Sequence, residues 1–247
     1  NFFIYEKSVY LKNIQKKKLK NFDVNWLTDL SQVKNFPTIF VANEFFDSLP
    51  IKQFIKKNNK WFEKYVDISS KEKKFVKKEV DMKKIERKIG INLERGQKFI
   101  EYSPLIFQTI KKISKIINKK KGGLLIIDYG YFGRKMFNTL QSVKEHKKAD
   151  ILRDAGNSDI THLLNYKFIE RIARKFKLKV NGLCTQRSFL IKLGIIKRAE
   201  IISRNVPFSE KANIYYRLKR LIDIDQMGEI FKVMFISSKK INFKIGF

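Results

Sequence analysis

Pro37-Thr38-Ile39-Phe40-Val41-Ala42 runs directly into Asn43-Glu44-Phe45-Phe46-Asp47-Ser48-Leu49-Pro50. The first segment is mostly apolar, which is typical of a buried strand in a parallel sheet. The second segment places two acids, three residues apart, where that strand ends. Because ligands of open α/β sheets bind outside the carboxyl ends of the strands, the second segment predicts either a binding site or a solvated turn.

A second part of the chain has the same design. Gly122-Gly123-Leu124-Leu125-Ile126-Ile127 is short and apolar, and Asp128-Tyr129-Gly130-Tyr131 follows it at once. A carboxylate again stands where the predicted strand ends. The two strand ends together predict one shared crevice.

The rest of the chain predicts alternating strands and helices. Strands are expected near residues 2–6, 23–27, 39–42, 124–127, 178–184 and 229–236, and helices near 8–19, 104–117, 159–176, 188–195 and 207–222. Residues 51–66 alternate around Asn58-Asn59, which indicates a β-hairpin. Residues 70–98 are highly charged and indicate one or two exposed helices, and residues 132–158 are polar and lack periodicity, as in a functional or mobile loop. This order predicts one α/β domain over residues 1–247, with a mostly parallel sheet and an insertion at 51–100.

The composition excludes several classes of site. Cys184 is the single cysteine, which excludes an internal disulfide and metal sites built from several cysteines. His146 and His162 are the two histidines, so we expect no metal site. We expect a surface position for His146, with a catalytic base as the alternative, and a structural or exposed position for His162. No apolar run reaches the roughly 18–20 residues that span a bilayer.

The net charge of +30 suggests a nucleic-acid partner at first sight. However, 43 of the 54 basic residues are lysines, whereas phosphate and base recognition favours arginine. The lysines are spread along the chain and accompany many Asn, Ile and Phe residues, which is typical of a genome-wide compositional bias. We therefore expect weak, non-specific attraction to polyanions, and a genuine polyanion partner is the alternative.

Six segments, taken together, resemble one known family. They are Glu6-Lys7-Ser8 and residues 42–50, 127–131, 139–142 with 159–161, 185–195 and 228–233. In order and approximate spacing they are similar to the MidA-like methyltransferases, whose mitochondrial members assist the assembly of respiratory complex I. The resemblance extends over essentially the whole chain.

The resemblance implies a Rossmann-like class I fold for S-adenosyl-L-methionine (SAM), with a mostly parallel sheet and an antiparallel last strand. In that family a first strand ends in a glycine-rich turn that approaches the cofactor, because a side chain there would block the backbone. This chain begins at Asn1, inside a predicted strand, and contains no such turn. We therefore expect that the first strand and its turn are missing, which would leave this fragment inactive on its own.

The resemblance also implies that SAM is the cofactor. Glu6 is placed to accept hydrogen bonds from the ribose hydroxyls, and Trp26 lies near the adenine. Asn43, Glu44 and Asp47 stand where the acceptor meets the donor methyl group, with Asn43 also near the cofactor. Methyl transfer is a direct displacement that depends on alignment, and carboxylates can hold a guanidinium in a bidentate grip. Glu44 and Asp47 are therefore predicted to orient an arginine.

The neighbouring strand end is predicted to shape the acceptor pocket. Its residues are Asp128, Tyr129, Gly130 and Tyr131, and Gln141 and Asp159 on the following loop are predicted to close over the substrate. The function implied is a SAM-dependent protein arginine methyltransferase that acts on a complex I subunit. The alternatives are an RNA methyltransferase that uses the basic surface and a non-enzymatic assembly factor. The expected location is the bacterial cytoplasm, or the mitochondrial matrix for a eukaryotic source.

Overall fold

The computed structural model describes residues 2–33, 36–69, 72–145 and 147–247. The strands are β1 Phe2–Tyr5, β2 Val24–Leu27, β3 Thr38–Asn43, β4 Lys52–Lys57, β5 Lys60–Asp67, β6 Lys74–Val80, β7 Phe99–Tyr102, β8 Gly122–Tyr131, β9 Gln141–Lys144, β10 Lys147–Lys148, β11 Asp159–Thr161, β12 Leu164–Asn165, β13 Leu178–Thr185 and β14 Phe231–Ser238. The helices are α1 Val9–Lys18, α2 Met82–Ile89, α3 Pro104–Lys120, α4 Tyr166–Lys175, α5 Gln186–Lys192, α6 Ile195–Ile202 and α7 Phe208–Ile222. His146, predicted to be a surface residue, lies outside the described residues.

The main sheet is mixed and is centred on β8. One edge of β8 pairs in parallel with β3 and, further along, with β12, and the other edge pairs with β14, which pairs in turn with β13. β14 is antiparallel to β8, as predicted for the last strand, and β13 is antiparallel to β14. β1 and β2 form a separate parallel pair. The α/β class is therefore confirmed, although the described part of the sheet is less parallel than expected.

Helices α3 and α4 contribute to the core that covers the main sheet. Ser103 caps α3 by accepting a hydrogen bond from the Ile106 N–H (3.2 Å), and Pro104 follows it at the first helical position. The buried isoleucines of α3 lie three and four residues apart and belong to the same apolar core as Leu124 and Ile126 of β8. This packing fixes β8, and with it the position of Asp128. Among the described residues, no helix combines the length and the apolar character needed to cross a membrane.

Residues 51–102 contain a second sheet, with the antiparallel order β6-β5-β4-β7. The predicted hairpin is confirmed: Asn58 and Asn59 both have left-handed backbone angles (φ 49° and 59°), as a tight turn between twisted strands requires. The prediction of one or two helices over 70–98 was partly wrong, because β6 occupies residues 74–80 and α2 alone is helical. Strand pairing with β5 outweighs the weak helical pattern of apolar residues in β6.

The long segment after β8 contains a third, small sheet of three antiparallel strands, β10-β9-β11. The helix predicted to begin at Asp159 was wrong at its start, because residues 159–161 pair with β9 and α4 begins at Tyr166. Asn165 provides the true N-cap by accepting a hydrogen bond from the Phe168 N–H (2.9 Å). The polar composition of residues 132–158 does not indicate this sheet, because its short strands lack an alternation of apolar residues.

Candidate active site at the strand ends

The turn after β3 is held by an unusual backbone conformation at Glu44. Its φ is 45°, a left-handed value that costs energy in a residue other than glycine. The Glu44 N–H donates to the Ile127 carbonyl (3.0 Å), so the turn starts while the chain still pairs with β8. The side chains of Asn43 and Glu44 are exposed and lie side by side, with Asn43 Nδ2 3.4 Å from Glu44 Oε1. The strained turn thus leaves the Glu44 carboxylate exposed at the end of β3.

Asp128 holds this turn from the neighbouring strand. Its Oδ2 accepts hydrogen bonds from the backbone N–H groups of Phe45 (3.2 Å), Phe46 (3.0 Å) and Asp47 (3.3 Å). The side chain is completely buried, and its Oδ1 accepts from the Tyr129 N–H. The contacts seen are therefore with the turn, and a direct contact between Asp128 and a substrate stays a prediction. The two strand ends are brought together as the sequence predicted.

Asp47 and Asp128 carry raised pKa values. Burial and the nearby Asp47 carboxylate raise the pKa of Asp128 to about 7, against the lowering effect of its backbone hydrogen bonds. Burial is also the largest cause of the raised pKa of Asp47, to which Glu44 contributes, while His162 opposes it. One of these carboxyls can therefore hold or release a proton near neutral pH.

We expect Asp128 to make stability depend on pH. The pKa of Asp128 is raised from 3.8 to about 7 in the folded protein, so its contribution to stability is fully present below about pH 4 and is lost as pH rises through about 7. Asp128→Asn keeps an acceptor for the turn and removes this titration. Urea unfolding at pH 5 and pH 8 should show the variant gaining stability relative to the wild type at the higher pH. A constant difference between the two proteins would contradict this.

Tyr129, Gly130 and Tyr131 follow Asp128. The Tyr129 ring lies 4.0 Å from that of Phe231, and burial, Glu44 and Asp47 raise the Tyr129 pKa. Tyr131 accepts a hydrogen bond from Asn165 (3.1 Å), and burial raises its pKa to about 12. Both tyrosines are half-buried and border the acidic turn or the cavity behind it. Their predicted substrate contacts remain proposals.

Gly130 is required by close packing rather than by a turn. A Cβ there would lie 2.5 Å from the Leu164 carbonyl oxygen and 2.5 Å from the Tyr166 ring. We expect Gly130→Ala to destabilise the fold by about 1–3 kcal/mol, as overpacking does. Gly96→Ala is the control, because no atom lies within 4 Å of its Cβ position and only backbone strain applies (φ 74°). Thermal unfolding should show the larger loss at Gly130, and equal losses would refute the steric argument.

Gln141 and Asp159 lie on the small third sheet, and both side chains are exposed. Gln141 Nε2 donates to Thr161 Oγ1 (3.2 Å). Neither residue contacts the turn 43–47 through the hydrogen bonds found among the described residues, so their role as substrate contacts stays a prediction.

Glu101 and Thr139 form an anchor that the sequence did not indicate. Glu101 is buried and accepts hydrogen bonds from Gln53 Nε2 (2.6 Å) and from the Thr139 hydroxyl, and Thr139 Oγ1 accepts from the Leu163 N–H (2.9 Å). This network ties both ends of the segment 139–163 to the inserted sheet. The sequence signal for this anchor is an acid, Glu101, in an otherwise apolar strand of the insertion. The residues that bond to Glu101 are distant in sequence, so the signal does not identify them.

The cofactor residues predicted from the resemblance also lie together. Glu6 follows β1, and Trp26 stands in the adjacent β2. Gln15 of α1 joins them, since its Nε2 donates to Glu6 Oε2 (3.1 Å) and its Oε1 accepts from Trp26 Nε1 (3.0 Å). Glu6 Oε1 accepts from the Ser8 N–H (2.8 Å). Gln15, which no sequence pattern indicates, holds both predicted side chains by hydrogen bonds.

A large cleft separates β1 from β3. Its volume is about 680 Å³, and its lining includes all of β1 and β3 together with Phe45 and Ile113. Ile39 and Val41 are 59% and 65% exposed there, although their sequence is typical of a buried strand. The prediction that β3 is buried was therefore wrong on this side. No group of three or more potential metal ligands occurs among the described residues.

Comparison with known proteins identifies the family. Residues 1–184 match the family model described as "Putative S-adenosyl-L-methionine-dependent methyltransferase". The chain belongs to this family. It is 29% identical over 213 residues to the protein arginine methyltransferase NDUFAF7, mitochondrial, of Xenopus laevis, and 27% identical over 225 residues to the human protein of that name. These matches cover 85% and 90% of this chain but 48% and 50% of the relatives, so the chain spans about half their length.

A solved structure has the same fold. It is a COG1565 superfamily protein from Burkholderia thailandensis bound to S-adenosyl-homocysteine, with a TM-score of 0.79 and 19% identity. The match covers all of this chain and 66% of the other. A native structure from the same organism gives a TM-score of 0.80. The resemblance predicted from the sequence is thereby confirmed, and this family is SAM-dependent.

Proposed function

We propose that the complete protein is a SAM-dependent methyltransferase that methylates arginine in a protein substrate and supports assembly of respiratory complex I. The observation that carries the proposal is the acidic turn at the strand ends, where Asp128 holds the backbone of residues 45–47 and Glu44 is presented outward. In a methyltransferase family, acids at this place suit a cationic acceptor. The named relatives are protein arginine methyltransferases, which supports this acceptor.

The acidic strand ends also weigh against RNA as the substrate. A groove with four lysines, Lys112, Lys115, Lys119 and Lys120, does occur. It lies along α3, whose last residues lead into the beginning of β8 rather than its end. An RNA substrate would require lysines near Glu44 and Asp47, because phosphate binding depends on contacts with basic side chains.

The residues present fit part of the cofactor. The Glu6 carboxylate retains acceptor capacity beyond the Ser8 and Gln15 hydrogen bonds, which suits two ribose hydroxyls, and Trp26 offers an aromatic ring beside it. Asn43 lines the cleft between β1 and β3. Bound SAM would supply an electrophilic methyl group. Glu6 would hold its ribose, while Glu44 and Asp47 would orient the acceptor nitrogen.

We further propose that one strand fills the cleft between β1 and β3 in the complete protein, and that its end carries the glycine-rich turn toward SAM. The edges of β1 and β3 that border the cleft have no strand partner among the described residues. The exposed Ile39 and Val41 would be covered on the same side. An inserted strand would join the two sheets into one, as the class I fold requires.

Calorimetric titration with SAM tests both proposals. The complete protein should bind SAM and transfer methyl groups to arginine in complex I subunits, detected by mass spectrometry, whereas residues 1–247 alone should bind weakly or not at all. Equal affinity of the two would refute the inserted strand. A complete protein that binds no SAM would favour the non-enzymatic assembly factor. We propose the mitochondrial matrix as its location in a eukaryote, since the named relatives are mitochondrial, and the cytoplasm in a bacterium.

A further inference from the structure

Helix α7 contains no buried residue, although it packs against α5 and α6. Ile214, Leu218 and Leu221 are half-buried. Another side of α7 carries six exposed residues spaced three or four positions apart, which we call the aromatic face: Phe208, Lys211, Ala212, Tyr215, Tyr216 and Lys219. Phe208 is 86% exposed and Tyr216 is 67% exposed. Exposed apolar patches of this kind mark interaction sites.

The surroundings of the aromatic face are rich in arginine. Four of the 11 arginines of the chain are exposed on α6, on α7 and on their connection: Arg198, Arg204, Arg217 and Arg220. The salt bridges found here among the described residues involve lysines instead, Lys197 with Glu200 and Lys219 with Asp223. Aromatic residues and arginine are enriched in protein–protein interfaces, whereas lysine is depleted. The composition therefore favours a protein partner.

The charge of this surface favours an acidic partner. Residues 195–222 contain seven basic and two acidic residues, a net charge of +5. Acidic side chains on a partner would complement this charge. Ile201 and Ile202, at the end of α6, are also exposed. They favour a protein over RNA, because RNA is bound by basic groups and by aromatic rings that stack on bases.

The end of α7 is fixed to the start of α5. Gln186 Nε2 donates to the Leu221 carbonyl (2.9 Å). Arg187 Nη1 donates to the Ile222 carbonyl (2.7 Å). Because α5 follows β13 directly, these hydrogen bonds hold the last turn of α7 at the carboxyl end of β13.

The same edge of the sheet carries the candidate active site. After α7, residues 223–230 lead to Phe231, which pairs with Tyr129 of β8. Tyr129 follows Asp128, which holds the acidic turn. Burial raises the pKa of Tyr129, and the positive charge of Arg220 opposes this shift, so the end of α7 lies within the electrostatic surroundings of the site. One protein substrate can therefore contact both α7 and the acidic turn.

We propose that the aromatic face docks an acidic, apolar segment of the protein substrate while the acidic turn receives its arginine, an inference that rests on the proposed function. Two contacts from one substrate chain make the second binding event intramolecular, which raises the overall affinity. Substrate choice then depends on acidic residues away from the methylated arginine.

Peptide binding by the complete protein tests the aromatic face without methyl transfer. The probes are arginine-free synthetic peptides of three kinds: acidic with leucine and phenylalanine, basic with the same apolar residues, and acidic without them. We expect only the first kind to bind. Phe208→Ser combined with Tyr216→Ser should weaken this binding about 10- to 100-fold, as the loss of central interface residues does. Equal binding by this double variant and the wild type would overturn the proposal.

The matched control is Tyr10→Ser combined with Phe22→Ser, which removes a similarly exposed tyrosine and phenylalanine at α1 and just after it. This control should bind the acidic, apolar peptides as the wild type does. A loss as large as that of the Phe208 and Tyr216 variant would overturn the proposal, because any exposed aromatic pair would then suffice.

Other occupants of the aromatic face would give different results, each of which overturns the proposal. A complete protein that sediments as a dimer, and as a monomer after Phe208→Ser and Tyr216→Ser, would assign the face to a second copy. Binding of phosphatidylglycerol vesicles or polyuridylate, but of no peptide, would assign it to lipid or RNA if the double variant abolished it. Loss of stability in the double variant, with no peptide bound by the wild type, would assign it to another part of the chain.

Kinetics with a whole complex I subunit connect the surface to methyl transfer. Phe208→Ser combined with Tyr216→Ser should raise KM for the subunit about 10-fold or more, with a much smaller change in kcat, because the lost contact lies away from the reacting atoms. An unchanged KM would overturn the docking of substrate. If the complete protein binds SAM but methylates no arginine, the proposed function fails, whereas the peptide measurements still decide whether the aromatic face binds an acidic partner.

Discussion

Glu44→Gln and Asp47→Asn are each expected to lower kcat of the complete protein about 100- to 1,000-fold. Both changes keep the shape of the side chain and remove a negative charge. Preorganised charges at a reacting centre commonly contribute this much, because they are already oriented when the transition state forms. Glu44 is held in place by its left-handed backbone, and Asp47 by the hydrogen bond from its N–H to Asp128. Initial rates of methyl transfer to a protein substrate give the measurement.

The matched control for these variants is Glu210→Gln. Glu210 is an exposed acid in α7, so its replacement by Gln removes one negative charge at a position away from the strand ends. It should leave kcat unchanged. SAM affinity should also stay close to the wild-type value in Glu44→Gln, since that residue is proposed to hold the acceptor. If both site variants transferred methyl groups at the normal rate, the orientation hypothesis would be refuted.

Glu6→Ala is expected to weaken SAM binding by the complete protein by about 100-fold or more. Hydrogen bonds to a charged group contribute roughly 1.5–3 kcal/mol each, and a ribose offers two hydroxyl donors. The substitution also releases Gln15 from its hydrogen bond to Glu6, which loosens the contact with Trp26. Calorimetric titration with SAM measures the change.

Two variants separate the ribose contact from a general disturbance. Lys7→Ala, at the exposed neighbouring position, should bind SAM normally. Gln15→Ala should weaken binding less than Glu6→Ala, because Glu6 keeps its bond from the Ser8 N–H. Unchanged SAM affinity in Glu6→Ala would end the assignment of Glu6 to the ribose.

The sequence predicted best where a local pattern and the tertiary role agree. β8 is a continuous apolar run because neither of its faces is exposed, and the acids at the ends of β3 and β8 meet because the strands are parallel neighbours. The Asn58-Asn59 hairpin was predictable since both residues tolerate left-handed angles. These features are encoded within a few residues.

The features that the sequence did not predict depend on contacts between residues that are distant in sequence. The local pattern of residues 74–80 favours a helix, because the pairing of β6 with β5 cannot be read from it, and Asp159 lies in a strand because β11 pairs with β9. Asp128 was expected to face the substrate, yet its hydrogen bonds to residues about 82 positions away are what the structure shows. His162 was expected to be structural or exposed, and it is buried, with its backbone N–H donating to the Asp47 carbonyl, a contact that no local pattern indicates.

The inserted sheet has a consequence for how the chain folds. Its first three strands are neighbours in sequence and separated by only a few residues, and β7 returns so that Lys52 pairs with Tyr102. The main sheet instead must pair residues 38–43 with 122–127, and 122–131 with 231–238. Local pairings form faster than distant ones, so we expect the insertion to fold first. Once it has folded, its adjacent ends act as a short link, and the entropy lost when β3 meets β8 is correspondingly smaller.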